Sequence, residues 1–113
     1  MEVFLCKHVD DEIMAAFERL VPQLSSSAVM PTRQEVEEIA ANESLLMARD
    51  SEQDGKIIGT LTLVTFRIPT GVRAWIEDVV VDTSARGKGA GEALTRAALD
   101  RAAELGAKTV DLT

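Results

Sequence analysis

Apolar positions recur along this chain with two alternating periods. Near the start Val3 and Leu5 alternate with Phe4 and Cys6, a period of two that predicts a short first strand near residues 2–8. Asp10, Asp11 and Glu12 then place negative charge where a helix should begin. Ile13, Phe17, Leu20 and Leu24, with Met14 and Val21 beside them, form one apolar stripe over about residues 11–24. Ser25, Ser27 and Pro31 mark a loop. Thr32 and Glu35 have the spacing of a capping box, so a second helix carries Val36, Ile39 and Ala40 on its inner face. Glu37 and Glu38 lie on its solvated face, and it frays near Asn42.

The period of two then returns. Leu45 to Arg49 and the run IIGTLTLVTF flank the polar segment DSEQDG, and its Asp54-Gly55 pair signals a turn with positive φ, so the second and third strands pair antiparallel. Pro69-Thr70-Gly71 breaks the run, and Trp75 to Val81 is the most strongly β-forming stretch in the chain. DTSARGKGAG leads into EALTRAALDRAAELG, a long helix stopped by Gly106, and Lys108 to Thr113 forms a final strand. Strand, glycine-rich turn, helix and strand make a right-handed βαβ unit, so the fourth and fifth strands are expected to be parallel. The fold class is α+β: a mixed sheet flanked by helices, in the order strand, two helices, three strands, helix, strand.

Composition limits what such a fold can do. The 113 residues fit one domain, residues 1–113, since a second core needs roughly 100 more. Hydrophobic content of 46% with only 4% aromatics leaves Ala, Val and Leu to fill the core. Net charge is −7 and the isoelectric point near 4.6, which opposes binding to phosphate backbones and predicts no nucleic-acid partner. Cys6 is the single cysteine, too few for an internal disulfide or a metal-ligand set. Glu2 and Lys7 interrupt any signal-peptide run, and no apolar stretch reaches the ~18 residues of a membrane span, so a cytoplasmic, membrane-free protein is expected.

The segment that carries chemistry is Arg86-Gly87-Lys88-Gly89-Ala90-Gly91, between a strand and a helix N-terminus. Unpaired N–H groups and the positive end of the helix dipole converge there, and glycines let an anion approach the backbone. Arg86 and Lys88 add mobile positive charge suited to a pyrophosphate. A nucleoside-triphosphate loop would need Ser or Thr after the lysine, where Gly89 stands. A dinucleotide fingerprint would need glycine at position 92, where Glu92 stands. The spacing that fits is Arg-x-x-Gly-x-Gly. The segment WIEDVVVDTSARGKGAGEAL resembles the acyl-coenzyme-A binding motif of the GNAT superfamily of N-acyltransferases, and the order of elements agrees over essentially the whole chain.

The resemblance implies acetyl-CoA as co-substrate and an amine acceptor. Gly87, Lys88, Gly89, Ala90 and Gly91 would donate backbone N–H groups to the pyrophosphate, with Arg86 at the motif's first position. The backbones of Val79 and Val81 would pair with the pantetheine arm like an added strand. Glu77 and Asp78 are the candidate catalytic carboxylates. As strand neighbours they are expected on opposite faces, and Glu77 is favoured as base, directly or through water, because it would share a face with Val79 and Val81. Cys6 reads as a buried inert thiol, His8 as a surface or capping residue, and Trp75 as core. Two other readings are a CoA-binding or dimerising module without catalysis, and a binder of a different phosphate ligand.

Members of that superfamily usually continue past the fifth strand with a helix and two strands, and that helix often carries a Tyr that protonates the leaving thiolate. This sequence ends at Thr113 and contains no Tyr. The expectation is a shortened chain or one with a further tail, leaving Val110 and Leu112 near an open edge. A partner chain supplying the strands, or a homodimer through the same edge, would also cover it. As it stands the chain is expected to self-associate or be marginally stable, and to be nearly inactive.

Overall fold

The computed structural model describes residues 1–112; Thr113, the expected end of the last strand, lies outside the described residues. The elements are β1 (Glu2–Leu5), α1 (Asp11–Leu24), α2 (Arg33–Ala41), β2 (Leu45–Asp50), β3 (Lys56–Ile68), β4 (Gly71–Val81), α3 (Ala90–Glu104) and β5 (Ala107–Leu112), with 3-10 turns at Ser51–Gln53 and Thr83–Ala85. The sheet is mixed and ordered β1-β2-β3-β4-β5. All neighbours are antiparallel except β4 and β5, which are parallel as the βαβ reading requires.

The helix starts follow the local chemistry. The Asp10 side chain accepts from the Ile13 N–H and caps α1, while Thr32 and Glu35 close a reciprocal capping box on α2. Between β2 and β3 the Asp54-Gly55 pair does take positive φ, +58° and +76°, but it follows a 3-10 turn rather than closing a two-residue hairpin. Two strand lengths differ from expectation. β1 ends at Leu5, because the Cys6 N–H still bonds to Leu45 O but the chain then turns towards the α1 cap. β4 starts at Gly71 rather than Trp75, because β3 runs on to Ile68 and the two pair across Pro69 and Thr70.

Each face of the sheet has its own core. On one, Ala90, Leu94, Ala98 and Ala102 of α3 pack on Leu46, Ile58, Leu61, Leu63 and Ile76. On the other, Ile13, Phe17 and Leu20 of α1 and Val36 of α2 pack on Leu45, Met47, Ile57 and Val80. Small residues on both sides let α3 lie close to the strands: on β3, a Cβ at Gly59 would come within 3.0 Å of Leu94 Cδ1 of α3. Trp75 does not join either core. It is 41% exposed, opposite Val64 on the part of the sheet beyond α1 and α2, which corrects its reading as a packed aromatic. Cys6 is buried, with its thiol directed to His8 O, and burial pushes its pKa up, as suits an inert thiol. No helix among the described residues is long and apolar enough to cross a membrane.

Candidate functional site

The turn from β4 into α3 brings the glycine-rich segment to the sheet. Gly87 and Gly89 both have φ of +82°, and a Cβ at either would meet nothing within 4 Å, so their surroundings are open. Gly89 occupies the N-cap position of α3 and has no side chain to cap it. The first helical bond is Ala93 N–H to Gly89 O, which leaves the N–H groups of Ala90, Gly91 and Glu92 without helical acceptors. Geometrically this is an anion cradle at a helix N-terminus.

The two cations of the segment differ. Arg86 is exposed and forms no ion pair among the described residues. Lys88 is not the mobile charge expected of it: its ammonium lies 3.1 Å from Glu52 and 3.2 Å from Asp50, bonds that raise its pKa. Asp50 is buried and also accepts from the Gln53 amide and the Glu52 N–H. The Gln53 bond is foremost in holding its carboxyl below the usual range. Asp82 caps the 3-10 turn through the Ser84 N–H, which lowers its pKa, and Gln23 of α1 accepts from the Thr83 N–H at 2.9 Å. Apart from Lys88, these supports of the loop carry no sequence signal, because they are polar turn residues, some joined across 31 to 60 positions, without periodicity.

β4 changes character at Asp78. Its ladder with β5 runs from Val72↔Ala107 to Ile76↔Leu112, so from Asp78 to Val81 it has β3 on one side and no described strand on the other. The ladder with β3 also shifts here, from Thr62↔Glu77 to Thr60↔Val80, and Asp78 takes φ +51°. This is a β-bulge, which overturns the expectation of strict alternation. Val79 and Val81 pack into the α3 core. Glu77 pairs with Thr62 and so belongs to the opposite face, not to that of Val79 and Val81.

On that opposite face lies a cavity of about 380 Å³ between α1, the loop after it, α2 and the sheet. Phe17, Val21, Leu24, Ile39 and Val80 contribute apolar walls. Thr60, Thr62 and Asp78 lie on its sheet side, so Asp78, rather than sitting across the sheet from Glu77, shares the face of Thr62. The α1–α2 loop carried no sequence signal beyond its Ser and Pro residues, so the cavity was not anticipated. No group of three or more His, Cys, Asp or Glu among the described residues could hold a metal ion.

Comparison with known proteins agrees with this architecture. The model of the acetyltransferase (GNAT) family matches residues 9–113. Among solved structures, the chain is similar to a putative acetyltransferase from Agrobacterium tumefaciens str. C58, with 24% identity and a TM-score of 0.80 over 100% of this chain and 81% of that one. It is also similar to glucosamine-6-phosphate N-acetyltransferase from Arabidopsis thaliana, with 25% identity and a TM-score of 0.74 over 100% and 82%. A Mycobacterium tuberculosis protein in complex with CoA and NLQ shows 20% identity and a TM-score of 0.77 over 97% and 62%. No curated protein matches the chain.

Proposed function

The chain belongs to the acetyltransferase (GNAT) family, and on that premise we propose that it transfers an acetyl group from acetyl-CoA to a primary amine. The observation that carries the reading is the bulge at Asp78: there an open β4 edge leads towards the uncapped α3 N-terminus, while a carboxylate lines a cavity on the α1 side. In this reading Gly87, Gly89, Ala90 and Gly91 receive the pyrophosphate through backbone N–H groups, helped by the free guanidinium of Arg86. Lys88, expected to donate its N–H as well, already gives it to Ala85 O at 3.4 Å, and through Asp50 and Glu52 it fixes the loop. The pantetheine arm lies along Asp78 to Val81 as an added strand. The names of two similar structures, an N-acetyltransferase and a CoA complex, support the donor and the bond formed.

The chemistry balances with few groups. An amine arriving as ammonium gives a proton to Asp78, directly or through water, and its lone pair then attacks the thioester carbonyl. A C–N bond forms, and the oxyanion is met by a β4 backbone N–H in the Val79 to Val81 stretch. As the C–S bond breaks, sulfur leaves as thiolate, a good leaving group because its thiol has a pKa near ~8.5, and it takes up the second proton, shed by the newly acylated nitrogen, while the proton on Asp78 passes to solvent. Asp78→Asn is expected to lower kcat/KM for the amine by about 10² while changing acetyl-CoA affinity less than about twofold. Glu77→Gln, assayed in parallel by thiol release and calorimetry, is expected to have a smaller effect. Full turnover by the Asp78 variant would remove it from the mechanism.

A further inference from the structure

The α1–α2 cavity narrows the acceptor class, an inference that rests on the transferase reading above. Among the described residues, Asp78 is the only ionisable one that lines it, and no Lys, Arg or His does. A phosphorylated or carboxylated amine would therefore bring an anion to a wall with no cation to meet it, beside a carboxylate. An anion held there gains no ion pair and meets the like charge of Asp78. A polyamine or aminoglycoside would bring several cations to a single carboxylate, leaving the others against Phe17, Val21 and Ile39.

What the walls do fit is an apolar body. The volume of about 380 Å³ stands at the small end of ligand cavities, which span ~300–1,000 Å³. At the mouth, Leu24 is 38% and Val29 90% exposed, an apolar rim held towards solvent. Thr60 already donates its hydroxyl to Leu46 O, which leaves Thr62 and Asp78 as polar groups on the sheet side. We propose that the acceptor is a small monocationic primary amine on an apolar alkyl or arylalkyl body, its ammonium at Asp78 and its body between α1 and the α1–α2 loop.

The test separates charge from body. 2-Phenylethylamine and its uncharged counterpart 2-phenylethanol are titrated into the full chain by NMR, beside spermidine and glucosamine 6-phosphate, with acetyl-CoA binding and thiol release measured on the same preparation. The amine is expected to saturate at concentrations at least about tenfold below those of the other three. Asp78→Asn keeps a residue tolerated at positive φ, so the bulge should persist, and it should erase the preference for amine over alcohol. Leu24→Ser, at a partly exposed helix end, should weaken amine and alcohol alike, by about fivefold.

The inference fails if spermidine or glucosamine 6-phosphate binds as tightly as 2-phenylethylamine, or if Asp78→Asn leaves the amine-to-alcohol ratio unchanged. Binding of the amine without any binding of acetyl-CoA would remove the transferase reading and leave the cavity's ligand class standing. Turnover of acetyl-CoA on spermidine with no response to 2-phenylethylamine would do the reverse.

Discussion

Gly91 and Gly89 stand two residues apart and demand different things of the backbone. Gly91 lies in the first turn of α3 with no positive φ, and a Cβ there would make only an ordinary contact with Val81 Cγ2 at 3.8 Å. Alanine at that position should raise stability by about 0.5–1 kcal/mol through helix propensity. If a pyrophosphate approaches this turn, the same methyl group stands in its path, and CoA affinity should fall even as the melting temperature rises. Gly89 at φ +82° is another matter: Gly89→Val forces a β-branched residue into the left-handed region. It should cost both stability and at least about tenfold in CoA affinity. Calorimetry paired with thermal unfolding separates the two effects. A Gly91→Ala protein that is more stable and binds CoA unchanged would show that no ligand approaches this turn.

At the scale of elements, the β2–β3 turn holds the loop before α3. Asp50 is its centre, buried and bonded to Gln53, the Glu52 N–H and Lys88, and its folded-state pKa lies below the unfolded value. A carboxylate depressed in this way stabilises the fold fully above its unfolded pKa, near ~3.9, and the contribution is lost as pH falls through the lowered value. Asp82, lowered chiefly by the Ser84 N–H, acts in the same direction. The urea midpoint of the native chain should therefore hold between about pH 7 and pH 5 and fall below about pH 4. Asp50→Asn should lower the plateau and flatten the acid limb; an unchanged acid limb would show that Asp50 does not govern it. None of this support was legible from hydrophobic pattern, since hydrogen bonds between turns leave no period. The capping box at Thr32, the stripe from Ile13 to Leu24 and the parallel β4–β5 pair were legible, because each follows from a local rule. The bulge at Asp78 was not: WIEDVVV reads as unbroken strand, and only the pairing with β3 shows one extra residue and the exchange of faces it causes.

Across the whole molecule, a net charge of −7 surrounds a site that, in the proposed reaction, receives two substrates of opposite sign. An anionic CoA approaches against that field and relies on the local donors of the α3 N-terminus and on Arg86. A cationic amine approaches with the field, and its encounter is hastened at low ionic strength. The Debye length falls to about 10 Å near 0.1 M salt, so this advantage should fade as salt rises. In the proposed reaction the chemistry after binding takes place at short range, well inside a Debye length, and so depends less on salt than the encounter does. With acetyl-CoA saturating, kcat/KM for a monocationic amine is expected to fall by about threefold between about 20 and 300 mM sodium chloride, with kcat nearly constant. A neutral body of the same shape, followed by its binding alone, should show no such loss. A kcat/KM that stays level or rises with salt would mean that the acidic surface does not steer the acceptor and that binding at the cavity is governed by its apolar walls alone.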